Sequence, residues 1–94
     1  HILGYTERLT DLEFYFSSEC APCKDMLPKV AKLAQEHTLD FRVINAEDGD
    51  VAAKEGISSV PTVILRGVDG ITELGRVVGT SMVGLTGLLR EYYL

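Results

Sequence analysis

The sequence is short of cysteine, histidine and positive charge, and each shortage removes a class of function. Two cysteines and two histidines occur among 94 residues. A zinc site takes about four ligands, and beyond Cys20 and Cys23 only His1 and His37 remain, so no metal is expected. Nine Lys and Arg against fourteen Asp and Glu leave a net charge of −5. Binding to nucleic-acid phosphates needs a basic face, which these scattered cations do not supply. No apolar run approaches the roughly 20 residues of a membrane span, and no charged, apolar, small-residue leader opens the chain. The acidic stretch Glu47-Asp48-Gly49-Asp50 lacks the length and ligand pattern of a calcium loop. A soluble, single domain covering residues 1–94 is expected, a monomer without nucleic-acid or membrane partners. With no cysteine outside the pair, a reducing compartment, the cytoplasm, suits it best.

What the chain does have is concentrated in Phe16-Ser17-Ser18-Glu19-Cys20-Ala21-Pro22-Cys23-Lys24-Asp25. The aromatic run Leu12–Phe16 reads as a buried strand, and a helical pattern begins at the cysteines. Two cysteines so close together enclose a loop too short to stabilise a fold much, so the pair reads as chemistry before structure. At a helix start, unpaired backbone N–H groups and the positive end of the helix dipole favour thiolate over thiol. Cys20 is therefore the expected nucleophile, and Cys23, one turn further in, the shielded resolving thiol. Pro22 suits the first turn, where its missing N–H has no helical partner to lose, and it stiffens the segment between the sulfurs.

Met26, Leu27, Val30, Leu33 and Ala34 extend an amphipathic helix to about His37, with a kink expected at Pro28. Leu39–Ile44 follows as a strand, with Phe41 and Val43 on one face. A short helix is then capped by the acidic stretch and stopped by Gly56. Val60-Pro61-Thr62-Val63-Ile64-Leu65 is a strand with Pro61 at its entrance, where a cis bond is possible. Gly67-Val68-Asp69-Gly70 turns the chain into a return strand, Ile71–Val78, and Thr80 or Ser81 caps a last helix. Gly84 and Gly87 lie inside that helix, implying either close packing on the sheet or a late start. His1–Thr10 form an irregular lead-in. The order βαβαββα predicts an α/β fold, a four-stranded mixed sheet flanked by helices on both faces, its first two strands parallel.

From about Leu12 onward the chain resembles the thioredoxin superfamily, and thioredoxins more than glutaredoxins. The resemblance rests on Cys20-Ala21-Pro22-Cys23 after a strand, on Lys24 and Pro28, and on Lys54-Glu55-Gly56-Ile57-Ser58-Ser59-Val60-Pro61-Thr62. It implies a thioredoxin-like protein dithiol–disulfide oxidoreductase whose only redox group is the Cys20–Cys23 disulfide, without a further cofactor. It also implies a cis Pro61 beside Cys20, a Val60 backbone that pairs with substrate polypeptide, and a Gly79 that leaves room for a docking protein. Partners would be protein disulfides and a protein reductant such as a thioredoxin-reductase-like enzyme. The Ala-Pro pair resembles reducing members, since oxidising ones more often place a histidine before the second cysteine.

Two departures from the family stand out. Glu19 replaces a tryptophan, and its carboxylate opposes formation of the neighbouring thiolate. Phe14 occupies the place of the buried acid that helps move the second cysteine's proton, and strand alternation sends Glu13 to the opposite face. Lys54 matches the lysine that pairs with that acid, here without its partner, and is either a modulator of the thiolate or a solvated helix lysine. Gly79-Thr80-Ser81-Met82 does not match the glutathione-holding segment of glutaredoxins. The alternatives are a secreted disulfide oxidase or isomerase, a non-catalytic docking module, and a dimer bridged by an iron–sulfur cluster.

Overall fold

The computed structural model describes residues 11–67 and 69–93. Strands β1 (Asp11–Phe16), β2 (Asp40–Asn45), β3 (Thr62–Arg66) and β4 (Glu73–Val78) alternate with helices α1 (Ala21–Glu36), α2 (Gly49–Glu55) and α3 (Met82–Tyr93). The expected lead-in, His1–Thr10, lies outside the described residues, as does Val68 of the expected turn.

The sheet order is β2-β1-β3-β4, with β1 parallel to β2 and antiparallel to β3, and β3 antiparallel to β4. β1 and β3 are thus central and covered on both faces, which is why both are rich in apolar and aromatic residues. Register sets Leu12 beside Phe41 and Leu65, and Phe14 beside Val43 and Val63, all on one face. That face packs on Met26, Val30 and Ala34 of α1 and on Leu85 and Leu89 of α3, forming the core. Alternation sends Glu13, Tyr15, Ile64 and Arg66 to the other face, where α2 attaches through Glu55 to Arg66. Val43 shares the core face but stays 45% exposed, because β2 is an edge strand.

Each helix carries its own start and stop. Asp48 caps α2 by accepting a 2.9 Å bond from the Asp50 N–H, and Gly56 ends it at φ +67°. At the end of α1 the Leu39 N–H reaches the Ala34 carbonyl and the Thr38 N–H reaches Gln35, the same closing pattern with a threonine at φ +54°. α1 is continuous through Pro28, which lacks the N–H that would reach back to Lys24. Ser81 accepts from the Gly84 N–H at 2.9 Å and starts α3, so the helix begins at Met82 and not late. A Cβ on Gly84 would stand 3.6 Å from Val77 and 3.1 Å from the Ser81 hydroxyl, so α3 comes close to β4 there, whereas Gly87 faces open space.

β3 begins one residue after Pro61, which has no N–H to give a ladder. In the β3–β4 connection the Asp69 carboxylate accepts from the Ile71 and Thr72 N–H groups and the Thr72 hydroxyl. These bonds, the Thr72 hydroxyl's first, hold its pKa down to about 2.

Candidate active site

The end of β1 delivers the chain into Ser17-Ser18-Glu19, and the Cys20 N–H bonds back to the Ser17 carbonyl at 3.2 Å. Cys20 is the N-cap of α1, with extended backbone (φ −89°, ψ 98°), and its sulfur accepts a 3.1 Å hydrogen bond from the Cys23 N–H. The two cysteines form a disulfide with their Cα atoms 5.2 Å apart, so the site is in its oxidised state. Cys20 is 8% exposed and Cys23 2%, an outer and an inner sulfur. On reduction the N–H now on Cys20 Sγ is placed to stabilise a thiolate there, as helix first-turn amides do.

The surroundings of the pair come from three segments of the chain. Pro22 is exposed at the start of α1, and Val60 packs half-buried against the cluster that contains both cysteines. The Val60–Pro61 peptide bond is cis, Pro61 is buried, and its carbonyl accepts a 2.8 Å bond from the Gly79 N–H. Gly79 has φ +94°, and a Cβ there would meet nothing within 4 Å; backbone conformation, and no crowding from this chain, is what calls for glycine. Glu19 is exposed. Lys54 is not brought to the sulfurs: it lines a pocket of about 300 Å³ with Glu13, Glu55 and Arg66, across the sheet from Phe14.

Beneath Cys23 the wall is apolar. Phe14, fully buried, lines a cavity of about 130 Å³ with Phe16, Leu27, Ser17, Ser18, Cys23 and Lys24. No carboxylate lines it. The acid that bears on this region is Glu47, which the sequence places only within the acidic stretch that caps α2. Glu47 accepts from the Ser18 N–H at 3.2 Å and from the Ser18 hydroxyl at 2.8 Å, tying the loop before Cys20 to the one after β2. The Ser18 hydroxyl, with Asn45 and the Ser18 N–H adding to it, holds the Glu47 carboxyl below its ordinary pKa. No local pattern signals this pair, whose members stand 29 residues apart.

The opposite face of β1 is charged and saturated. Glu13 Oε1 accepts from Arg66 Nε at 2.9 Å and from the Tyr15 hydroxyl at 2.7 Å, while Arg66 also donates to Glu55 and, at 3.0 Å, to the Ile71 carbonyl. Burial, reinforced by the bond to Glu13, pushes the Tyr15 hydroxyl up to about 12. Among the described residues no group of three or more His, Cys, Asp or Glu is placed to hold a metal, and no helix is long and apolar enough to cross a membrane.

A disulfide of the Cys-x-x-Cys type at a helix N-terminus, on a four-stranded mixed sheet with a cis-proline opening the next central strand, defines a thioredoxin-like fold carrying its redox-active pair. The family model described as Thioredoxin matches residues 6–84. Thioredoxin-2 of Saccharomyces cerevisiae is 35% identical over 81 residues, 84% of this chain and 75% of that protein. A thioredoxin of Echinococcus granulosus is 31% identical over 81% of this chain and 71% of its own length. Thioredoxin 1 of Thermosipho africanus superposes with a TM-score of 0.78 at 27% identity, covering 87% of this chain and 92% of that one. The chain belongs to the thioredoxin family.

Proposed function

We propose that the chain is a protein dithiol–disulfide oxidoreductase working in the reducing direction. The observation that carries the oxidoreductase reading is the asymmetry of the Cys20–Cys23 pair, an outer sulfur that receives a backbone N–H and an inner one nearly sealed, and the reducing direction follows the Ala21-Pro22 pair, which resembles reducing members. In the dithiol form Cys20 thiolate attacks one sulfur of a target disulfide. A mixed disulfide forms and the target's second sulfur leaves as thiolate. Cys23 then gives up its proton and attacks Cys20 Sγ, which closes the Cys20–Cys23 disulfide and releases the target's first sulfur. Two electrons pass to the target, two protons follow from solvent, and a protein reductant such as a thioredoxin-reductase-like enzyme restores the dithiol.

In this reading Pro22, Val60, Pro61 and Gly79 form the surface on which the target polypeptide lies, with Pro61 beside Cys20 and the Val60 backbone offering it strand-type hydrogen bonds. Glu19 weakens the thiolate by like-charge repulsion, tempered by its exposure. Lys54, on the other side of the sheet, has no part in it. The protein works as a monomer in the cytoplasm, where a lone cysteine pair stays available as a dithiol.

The test is trapping. Cys23→Ser should accumulate a mixed disulfide with target proteins that dithiothreitol releases, and Cys20→Ser should accumulate none. Equal capture by both variants, or undiminished function in the doubly substituted chain, would leave a docking module. A reduction potential well above that of glutathione would instead make the protein an oxidase.

A further inference from the structure

The cavity of about 130 Å³ behind the inner sulfur is graded from inside to outside. Phe14 and Cys23, each exposed by 2% or less, close its inner end. Phe16, Ser17 and Leu27 are half-buried along its sides and Lys24 stands exposed at its rim, so a small molecule can reach Cys23 without opening the core. Polar groups of the residues around it are engaged elsewhere. The Ser18 hydroxyl donates to Glu47 at 2.8 Å, the Ser17 carbonyl accepts from the Cys20 N–H at 3.2 Å, and the Cys23 N–H donates to Cys20 Sγ at 3.1 Å. A buried water needs about two to four polar partners, whereas an apolar guest needs none. Two of the walls are aromatic rings and a third is sulfur, surfaces that favour an aromatic guest through edge-to-face and sulfur–ring contacts. The size fits one ring, since an apolar cavity of about 150 Å³ takes up benzene.

We infer that this cavity is a regulatory binding site for a small uncharged aromatic molecule, one ring in size, that slows the second step of the proposed cycle. The binding stands on the cavity alone, and only its kinetic consequence rests on the reductase reading. In that second step Cys23 gives up its proton with no carboxylate in the cavity to receive it, so solvent must do so. A ring seated against Cys23 keeps solvent from that sulfur and favours the uncharged thiol over the thiolate. Attack by Cys20, the outer sulfur, is left alone. The guest therefore holds the protein in its mixed disulfide with the target, without competing for the target itself. A charged guest finds no counter-charge at the inner end, between Phe14 and Cys23, and is excluded.

The probe is benzene, added to the full chain and followed in two readouts. In magnetic resonance spectra the signals of Phe14, Phe16 and Leu27 should shift in a saturable way, with a dissociation constant on the order of 1 mM. Benzylammonium, the same ring carrying a charge, should bind about tenfold more weakly or worse. In single turnover of the pre-reduced protein with an aliphatic disulfide peptide, saturating benzene should slow the concentration-independent phase, resolution, by about tenfold, as far as one pKa unit changes the share of thiolate. The second-order phase, attack by Cys20, should not change. Ser17→Leu brings aliphatic carbon into the cavity from its half-buried side; it should resolve as slowly as the benzene-saturated wild type and no longer respond to benzene. No saturable shift, shifts that fall on other residues, or equal binding of benzylammonium overturns the inference, and none of these needs a variant. Benzene bound at the cavity with an unchanged first-order phase overturns it as a regulatory site while leaving the reductase reading intact. A wild type that fails to reduce the peptide even without benzene removes the reductase reading, and the shifts alone then decide whether the site exists.

Discussion

The two faces of β1 solve opposite problems with adjacent residues. On one face Leu12 and Phe14 join a core that holds both cysteines and contains no carboxylate, lysine or arginine. On the other Glu13 and Arg66, each with a side chain 9% exposed, sit in a network in which every buried polar side-chain atom has a partner. A buried charge is tolerable when fully paired and costly when not. The chain therefore keeps its buried carboxylates, Asp11 and Glu13, on the face where Arg42 and Arg66 pair them and places none against the cavity beside Cys23. The consequence is chemical: in the proposed cycle Cys23 must lose its proton without a base from β1, so resolution of the mixed disulfide depends on solvent reaching the small cavity behind Phe14.

Moving a carboxylate to the sulfur face breaks this division most severely. Phe14→Asp removes a fully buried ring and adds an unpaired acid, and about 5 kcal/mol of stability should be lost at neutral pH. Burial raises the pKa of the introduced carboxyl above its unfolded value, so the penalty shrinks as pH falls and the acid protonates; urea midpoints at pH 4 and pH 8 should differ in that sense. In the surviving folded fraction the mixed disulfide should resolve faster. Unchanged resolution would take Phe14 out of the mechanism.

Removing the cation from the far face is the converse change. Arg66→Met strands Glu13 with only Tyr15 as partner and should cost about 3 kcal/mol, again read from urea unfolding. Glu13→Gln in the same chain should restore part of that loss, because the stranded charge goes with it. The thiol–disulfide exchange rate of Arg66→Met should barely move. A large change in rate would show that the two faces are coupled through the sheet. A smaller effect belongs to Tyr15, whose hydroxyl should ionise near pH 12 in an ultraviolet titration. Because its folded pKa lies above the ordinary value of about 10, the associated stability is complete below pH 10 and drains away as pH rises towards 12. Tyr15→Phe should lower stability by about 1 kcal/mol and abolish that alkaline limb.

What the sequence made legible on these faces is whatever is encoded within a few residues. The strand before the cysteines, the stripe Met26, Val30, Ala34, the cap Asp48 and the stop Gly56 are all local signals, and each lies where its chemistry puts it. The sulfur pair was legible for the same reason, since the chemistry of a Cys-x-x-Cys at a helix start is contained in four residues. Pairings across the fold were not. Arg66 and Glu13 are 53 positions apart and nothing near either names the other. Lys54 shows where local reading stops: its segment left open a modulator of the thiolate or a solvated helix lysine, and the direction of α2 sets it exposed, beside Glu13, Glu55 and Arg66. Thr38 at φ +54° was hidden too, because helix closure overrode the preference of a β-branched residue.

The least dramatic of these long-range pairings bears most directly on the nucleophile. Glu47 grips both the N–H and the hydroxyl of Ser18, two residues before Cys20, and the Phe16 carbonyl on the same side accepts from the Ala46 N–H at 2.8 Å. The loop carrying the outer sulfur is therefore fixed to the β2–α2 connection at two points. Since the Glu47 pKa is depressed in the fold, the grip is complete above the ordinary carboxylate range and fails as pH drops through the lowered value, the opposite sense to Tyr15. Glu47→Gln keeps the shape but replaces a charge-assisted acceptor with a neutral one. It should speed hydrogen exchange of the Ser18 amide and slow attack by Cys20 by about twofold, as small misplacements of a reacting group do. Wild-type protein should show the same faster exchange, relative to neighbouring amides, only at acid pH, whereas the variant shows it throughout. Ser18 exchange that is indifferent both to the substitution and to pH would mean that Cys20 is held by its own helix alone, and that the loop before it contributes nothing to where the sulfur stands.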